Sequence, residues 1–248
     1  MTAANLWDAD AYDQNADAQW RWGLEVAARV PPQAETILDL GCGSGRVTES
    51  LLERSPNARV TALDVSADMV DAARRRLAPY ASRVTFAVGD AADPFPVEQP
   101  VDCVFSTGTL HWVRDHAACF ANVFEALNPG GCLVSQCGGA GSLQRVRDRL
   151  EGLGVHWASH NRYADAEETH QVLADHGFID VWCWLEARPT PFASPERLRS
   201  YLEATALAPY LHGMDTGRRQ TVLDSVIDDL DELRLDFVRL NMLARRPA

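Results

Sequence analysis

The stretch Thr36-Ile-Leu-Asp-Leu-Gly-Cys-Gly-Ser-Gly-Arg46 decides how this chain is built. Thr36–Leu40 is a short apolar run of the kind that forms a buried strand, and Gly41 ends it. Glycines at 41, 43 and 45 then make a tight turn whose backbone can approach a ligand closely. Val47–Leu52 begins a helix. Strand, glycine turn and helix in that order open an α/β sheet, and in such sheets ligands bind beyond the carboxyl ends of the strands.

Working outward, the same alternation continues to Gln136. Arg59–Leu63 reads as the second strand. Ser66-Ala-Asp-Met69 opens a helix with Ser66 as N-cap, and Met69, Val70, Ala73 and Leu77 recur at helical spacing. Val84–Val88 and Val101–Phe105 read as the third and fourth strands. Ala117–Leu127 reads as a helix stopped by Asn128-Pro-Gly-Gly131, and Cys132–Ser135 as the fifth strand. Short apolar strands alternating with helices imply a parallel sheet covered on both faces, with right-handed crossovers. Around this core lie a Trp-rich helical leader at 3–30 and a polar helical segment at 142–175. A strand is expected at Val181–Glu186, a mostly helical stretch at Pro195–Leu235 and a last strand at Phe237–Leu243. The stripe Leu223, Val226, Ile227, Leu230 and Leu233 reads as core packing. The expectation is one domain over 1–248, in which 1–30 and 140–235 form a helical lid over the carboxyl edge of a core at 36–136. The second lid segment also contributes one core strand, and 236–246 holds the last.

Composition narrows the function. The net charge is −12, and none of the 23 basic residues is a lysine. The absence of lysine rules out Schiff-base and lysine-base chemistry. No basic stripe of the kind nucleic acids require is visible. No apolar run approaches the roughly 18 residues of a membrane span, and the polar N-terminus does not read as a secretory signal. The six cysteines lack metal-ligand spacing and read as buried reduced thiols, so no metal is expected and a cytoplasmic location is. The oligomeric state is left open.

The loop also says which ligand. Dinucleotide folds use G-x-G-x-x-G, but here the third glycine comes one residue early and Arg46 fills its place. Asp39 precedes the loop, where it would repel a pyrophosphate and attract an ammonium group. Asp64 follows the second strand, where it can accept from ribose hydroxyls. Asp90, in Gly89-Asp-Ala-Ala, follows the third, where it can accept from an adenine amine. One strand-end aspartate can equally be an N-cap; three in succession beside this loop point to a ligand.

With these residues in view, 36–136 resembles the class I S-adenosyl-L-methionine (SAM)-dependent methyltransferases, whose loop reads Asp/Glu-x-G-x-G-x-G. The resemblance implies a Rossmann-like seven-stranded sheet with the last strand antiparallel, and SAM as cofactor. It places Gly41, Gly43 and Gly45 along the methionine part, Asp64 on the ribose, Asp90 near adenine, and Val65 and Ala91 against the ring. Tyr12, Gln19, Asp39, Arg46, Met69, Gly89, Ser106, Thr107 and His111 complete the cofactor set.

The methyl acceptor is read from two other segments. Leu110-His-Trp112 follows the fourth strand, and an indole N–H can only donate, which suits a carboxylate. The plainer reading makes Trp112 core and His111 an incidental strand-end residue. In the leader, Tyr12, Asn15 and Gln19 step three and four positions and so share one helical face. Together the two segments resemble plant salicylate/benzoate carboxyl methyltransferases and juvenile hormone acid methyltransferases, and the overall layout resembles bacterial trans-aconitate methyltransferase relatives. The resemblance implies that Gln19 and Trp112 hold the carboxylate of a small organic acid while His111 assists. Two alternatives stand beside it: C-, N- or O-methylation of a secondary metabolite with His111 as general base, and a non-catalytic SAM-binding protein. No arginine cluster in 140–235 marks a tricarboxylate. Trp157, Tyr163, Trp182, Trp184 and Tyr201 suggest an aromatic pocket or simple packing.

Overall fold

Four of the five residues of Thr36–Leu40 (β1) are buried, as a strand covered on both faces requires. In the computed structural model, which describes residues 8–248, β1 lies between Arg59–Asp64 (β2) and Val101–Thr107 (β4), parallel to both. Val84–Val88 (β3) pairs outside β2, and Leu127–Gly138 (β5) outside β4. Arg234–Arg245 (β7) runs antiparallel to both β5 and Ile179–Pro191 (β6). The described residues thus form a seven-stranded sheet in the order β3-β2-β1-β4-β5-β7-β6. This is the mostly parallel, Rossmann-like sheet that the sequence implied.

Helices Asp17–Ala27 (α2), Arg46–Arg54 (α3) and Ala67–Arg76 (α4) bury Val26, Leu51, Leu52 and Ala73 against one face of the sheet. Helices His116–Ala126 (α5) and Ala166–Asp175 (α7) bury Phe120, Val123 and Leu173 against the other. Ser66 caps α4 as expected, its Oγ accepting the Met69 N–H at 3.3 Å. A third apolar cluster gathers Gln144–Gly152 (α6), Pro195–Ala204 (α8), Ala208–Leu211 (α9) and Thr216–Asp228 (α10) around Trp22 and Phe237. Leu223 and Val226 are buried there, with Ile227, Leu230 and Leu233 packed against it, so the stripe is core.

Three expectations change. Residues 3–7 of the leader lie outside the described residues, and the rest is two helices, Ala9–Asn15 (α1) and α2, separated at Ala16 (φ −91°, ψ 32°). Asn15 Nδ2 donates back to the Ala11 carbonyl at 2.8 Å in the last turn of α1. Second, Asn128–Gly131 does not delay β5. Leu127 already faces Val101 and Cys132 faces Cys103, so the Pro-Gly-Gly turn is an irregularity inside the strand. Third, β6 runs on to Pro191 because it is an edge strand, paired on one side only, where Pro189 and Pro191 need no second partner. Among the described residues no helix is long and apolar enough to cross a membrane. All six cysteines are unpaired; four are buried, and Cys132 and Cys183 are half-buried.

Candidate active site at the carboxyl edge

The loop after β1 is shaped by its neighbours. Gly41 has φ +81°, and a Cβ there would sit 2.1 Å from Thr109 Oγ1, so the loop after β4 closes directly onto its backbone. Gly43 has φ +54° and faces open space. Its N–H donates to Asp64 Oδ2 at 2.9 Å, while Ser66 N–H donates to Oδ1 at 2.9 Å. Each carboxylate oxygen thus keeps accepting capacity for a further donor. Burial raises the Asp64 carboxyl above its ordinary range, and the backbone N–H groups of Ser66, Gly43 and Val65 act against that. Asp39, 2% exposed, accepts from Thr48 Oγ1 at 2.6 Å and has no arginine paired with it. Burial pushes its carboxyl up to about 7, with the Thr48 hydrogen bond lowering it and nearby Asp64 raising it further.

These groups open onto a cavity of about 700 Å³ beyond the ends of β1 to β4. Val65, Met69, Gly89, Ala91 and Thr107 also line it. Asp90 reaches it as an exposed residue whose Oδ1 accepts the Ala92 N–H at 2.9 Å. Arg46 lines it too, but its guanidinium is engaged with the leader. It donates to the Asp13 carbonyl at 2.9 Å and to Asp17 at 3.0 Å, and lies 5.0 Å from the Trp20 ring centroid. The Asp13 carboxylate in turn takes hydrogen bonds from Ser44 and Arg76, so α1 and α2 are tied to the glycine loop.

Two residues expected at the cofactor are not among those that line the cavity. Gly45 does not reach the cavity; at φ +83° a Cβ would lie 3.2 Å from Ala73 Cβ, so this glycine lets α3 start against α4. Ser106 is fully buried, its Oγ donating to the Leu40 carbonyl at 2.7 Å. Both are packing positions.

A family model described as a methyltransferase domain matches residues 37–131. The chain is 32% identical to a trans-aconitate 2-methyltransferase of Methylobacterium nodulans, over 97% of this chain and 98% of that one. It is 38% identical to one of Variovorax paradoxus, over 94% and 93%. The chain belongs to the class I SAM-dependent methyltransferases. The fold agrees: a phosphoethanolamine N-methyltransferase of Haemonchus contortus, solved with S-adenosylhomocysteine, superposes with a TM-score of 0.64 at 20% identity, covering 97% of this chain and 57% of that one. The residues of this methyltransferase suit its donor. Asp39 is a buried carboxylate lacking a cation, Asp64 keeps acceptor capacity toward the cavity, and Gly43 leaves its own Cβ space open.

On the acceptor side, Gln19, His111 and Trp112 line the same cavity, as does Tyr12; Asn15 does not. Gln19 Nε2 bonds the Tyr201 hydroxyl while its buried Oε1 has no partner among the described residues. His111, 8% exposed, accepts the Gly138 N–H at Nδ1 (3.3 Å) and packs between Trp112 and Tyr163, with centroids 4.9 and 5.6 Å away. Burial, with Arg239 and His116 nearby, pushes His111 well below the usual imidazole range. Of the five aromatics singled out in the sequence, Tyr163 and Tyr201 reach the cavity. Trp157 is buried against Tyr210, while Trp182 and Trp184 lie on β6.

Sequence reasoning missed Arg239, which lines the cavity although it is buried. The signal was present in β7, where Leu235, Phe237, Arg239 and Asn241 alternate on the buried face. An arginine in that series is not a surface residue.

Proposed function

We propose that this methyltransferase transfers a methyl group to a carboxylate oxygen of a small organic acid. The Gly138 N–H entering His111 Nδ1 carries the reading. Burial keeps the imidazole neutral, and with Nδ1 occupied as an acceptor the ring proton resides on Nε2. His111 is then a hydrogen-bond donor rather than a base, and Trp112 Nε1 is a donor by its chemistry. A carboxylate has no proton to lose and needs donors to align it, whereas an amine, phenol or carbon acid needs a base. The named substrate of the relatives, trans-aconitate, is an acid of this kind.

SAM supplies an activated methyl on a sulfonium. Asp39 would hold its ammonium, Asp64 its ribose hydroxyls, and Asp90 with Val65 and Ala91 its adenine. Gln19 lines the cavity and its Nε2 bonds the Tyr201 hydroxyl; rotated away from Tyr201, the amide would offer N–H donors to the reacting carboxylate. Alignment of donor and acceptor supplies about 7–11 kcal/mol of the barrier. The leader and the 140–235 helices act as a lid, and 1–248 works as one domain; the third apolar cluster, which joins Trp22 of the leader to α6, α8 and α10, supports this.

Incubation with methyl-labelled SAM and an acid panel, followed by mild alkali, tests the reading. The label is expected to be released as methanol, and a base-stable label overturns it. Trp112→Phe removes the indole N–H and keeps the ring. It is expected to lower kcat/KM for the acid by about 10-fold, the scale of one charge-assisted hydrogen bond. Undiminished activity would mean that Trp112 only packs.

A further inference from the structure

One buried charge in the cavity is left unused by this reading. Arg239 is 4% exposed. Its Nε donates to Gln136 Oε1 at 3.2 Å, and its guanidinium lies over the Trp22 ring, 4.8 Å from the centroid. Among the described residues no carboxylate pairs with it; the titratable groups around it are His111, held neutral by burial, and Cys137, Tyr163, Tyr201 and Tyr12. Burial holds the last four in their protonated, neutral forms. A guanidinium has four N–H donors beyond Nε, and a buried cation without an anion is costly to the folded state.

We propose that Arg239 is a specificity-determining residue, pairing with a carboxylate of the acceptor other than the one that is methylated, so that the pocket selects acids with at least two carboxylates. The inference rests on the reading of the substrate as an organic acid. The two carboxylates have different needs. One gripped by a guanidinium has its lone pairs drawn into N–H bonds and is a poor nucleophile. The reacting one must keep a lone pair free and in line with a cationic donor. The sheet separates the two places: Arg239 on β7 faces Gly138 on β5, whose N–H orients His111. The anchor therefore stands one strand beyond the group proposed to steady the reacting carboxylate. Neutral phenols around Arg239 offer hydroxyls without competing for its charge.

The test compares trans-2-pentenoate, trans-glutaconate and trans-aconitate, which carry one, two and three carboxylates, as acceptors for labelled SAM. In the unmodified enzyme kcat/KM is expected to rise about 100-fold from one carboxylate to two, the scale on which one partner of a buried charge pair acts. Arg239→Gln should collapse that ratio towards one, chiefly through KM for the diacid, and Arg239→Lys should restore part of it. Gln136→Glu keeps the arginine but sets a carboxylate beside its Nε, and should collapse the ratio as well. The melting-temperature rise with S-adenosylhomocysteine verifies that each variant is folded. A ratio unchanged in folded Arg239→Gln, or absent in the unmodified enzyme, overturns the assignment while the ester chemistry stands. No base-labile product from any acid overturns both.

Discussion

Asp39 is a carboxylate with one hydroxyl and no cation beside it, buried at the start of the glycine loop. Its carboxyl holds a proton up to about pH 7 in the folded chain and only to about pH 4 when unfolded. Between those values the native state binds the extra proton, so the ligand-free enzyme is expected to lose stability as pH rises through that window. A ligand ammonium favours the charged form. Binding of S-adenosylhomocysteine at pH 6 should therefore release close to one proton, seen by calorimetry in buffers of different ionisation enthalpy. Asp39→Asn should bind more weakly and release none; release equal to that of the unmodified enzyme would place the titrating group elsewhere. Asp64→Ala removes the acceptor that Gly43 and Ser66 orient, and is expected to abolish the thermal stabilisation by the same ligand. A retained shift would sink the ribose assignment. Both aspartates could be found in the sequence because each sits at the carboxyl end of a short apolar strand, the edge where such sheets bind ligands. The divergent fates of Gly45 and Ser106 could not, because each depends on the packing of a distant segment.

At the scale of the element, the glycine loop performs two separate tasks. Gly45→Ala would force a Cβ to 3.2 Å from Ala73 Cβ at φ +83°, at a cost of about 1–3 kcal/mol. Gly43→Ala shares the left-handed strain, at φ +54°, but meets no protein atom and places a methyl in the cavity. The first should lower the melting temperature with donor affinity largely kept, and the second should lower donor affinity more than stability. The reverse pattern would exchange their roles. Alternation of apolar residues made β1 to β4 readable within two residues at each end. The leader was harder, since the break at Ala16 carries no glycine or proline to mark it. The extent of β6 was hidden by its prolines, which only an edge position allows.

Across the molecule, a largely buried polar chain supports Arg239 from behind the cavity. Arg29 donates to Asn241 Oδ1 at 2.6 Å, Gln136 Nε2 donates to the same oxygen at 2.8 Å, and Gln136 Oε1 accepts from Arg239. Asn241→Leu strands two of these donors and is expected to cost about 2–4 kcal/mol in denaturant unfolding. A change below about 0.5 kcal/mol would mean that water or rearrangement satisfies them. This chain links the end of the leader just after α2 to β5 and β7, and each of its hydrogen bonds joins residues more than a hundred positions apart, so no local pattern announced it.

That dispersal has a consequence for how such an enzyme can diverge. The acids and ring contacts proposed for the donor, Asp39, Asp64, Val65, Asp90 and Ala91, fall within one stretch of the chain, whereas Trp112, Tyr163, Tyr201 and Arg239 line the cavity from separated segments. If those residues select the acid as proposed, a single substitution among them would alter which acid is accepted without touching the glycine loop. Descendants of this fold can thus be retargeted one residue at a time while every intermediate still binds its cofactor.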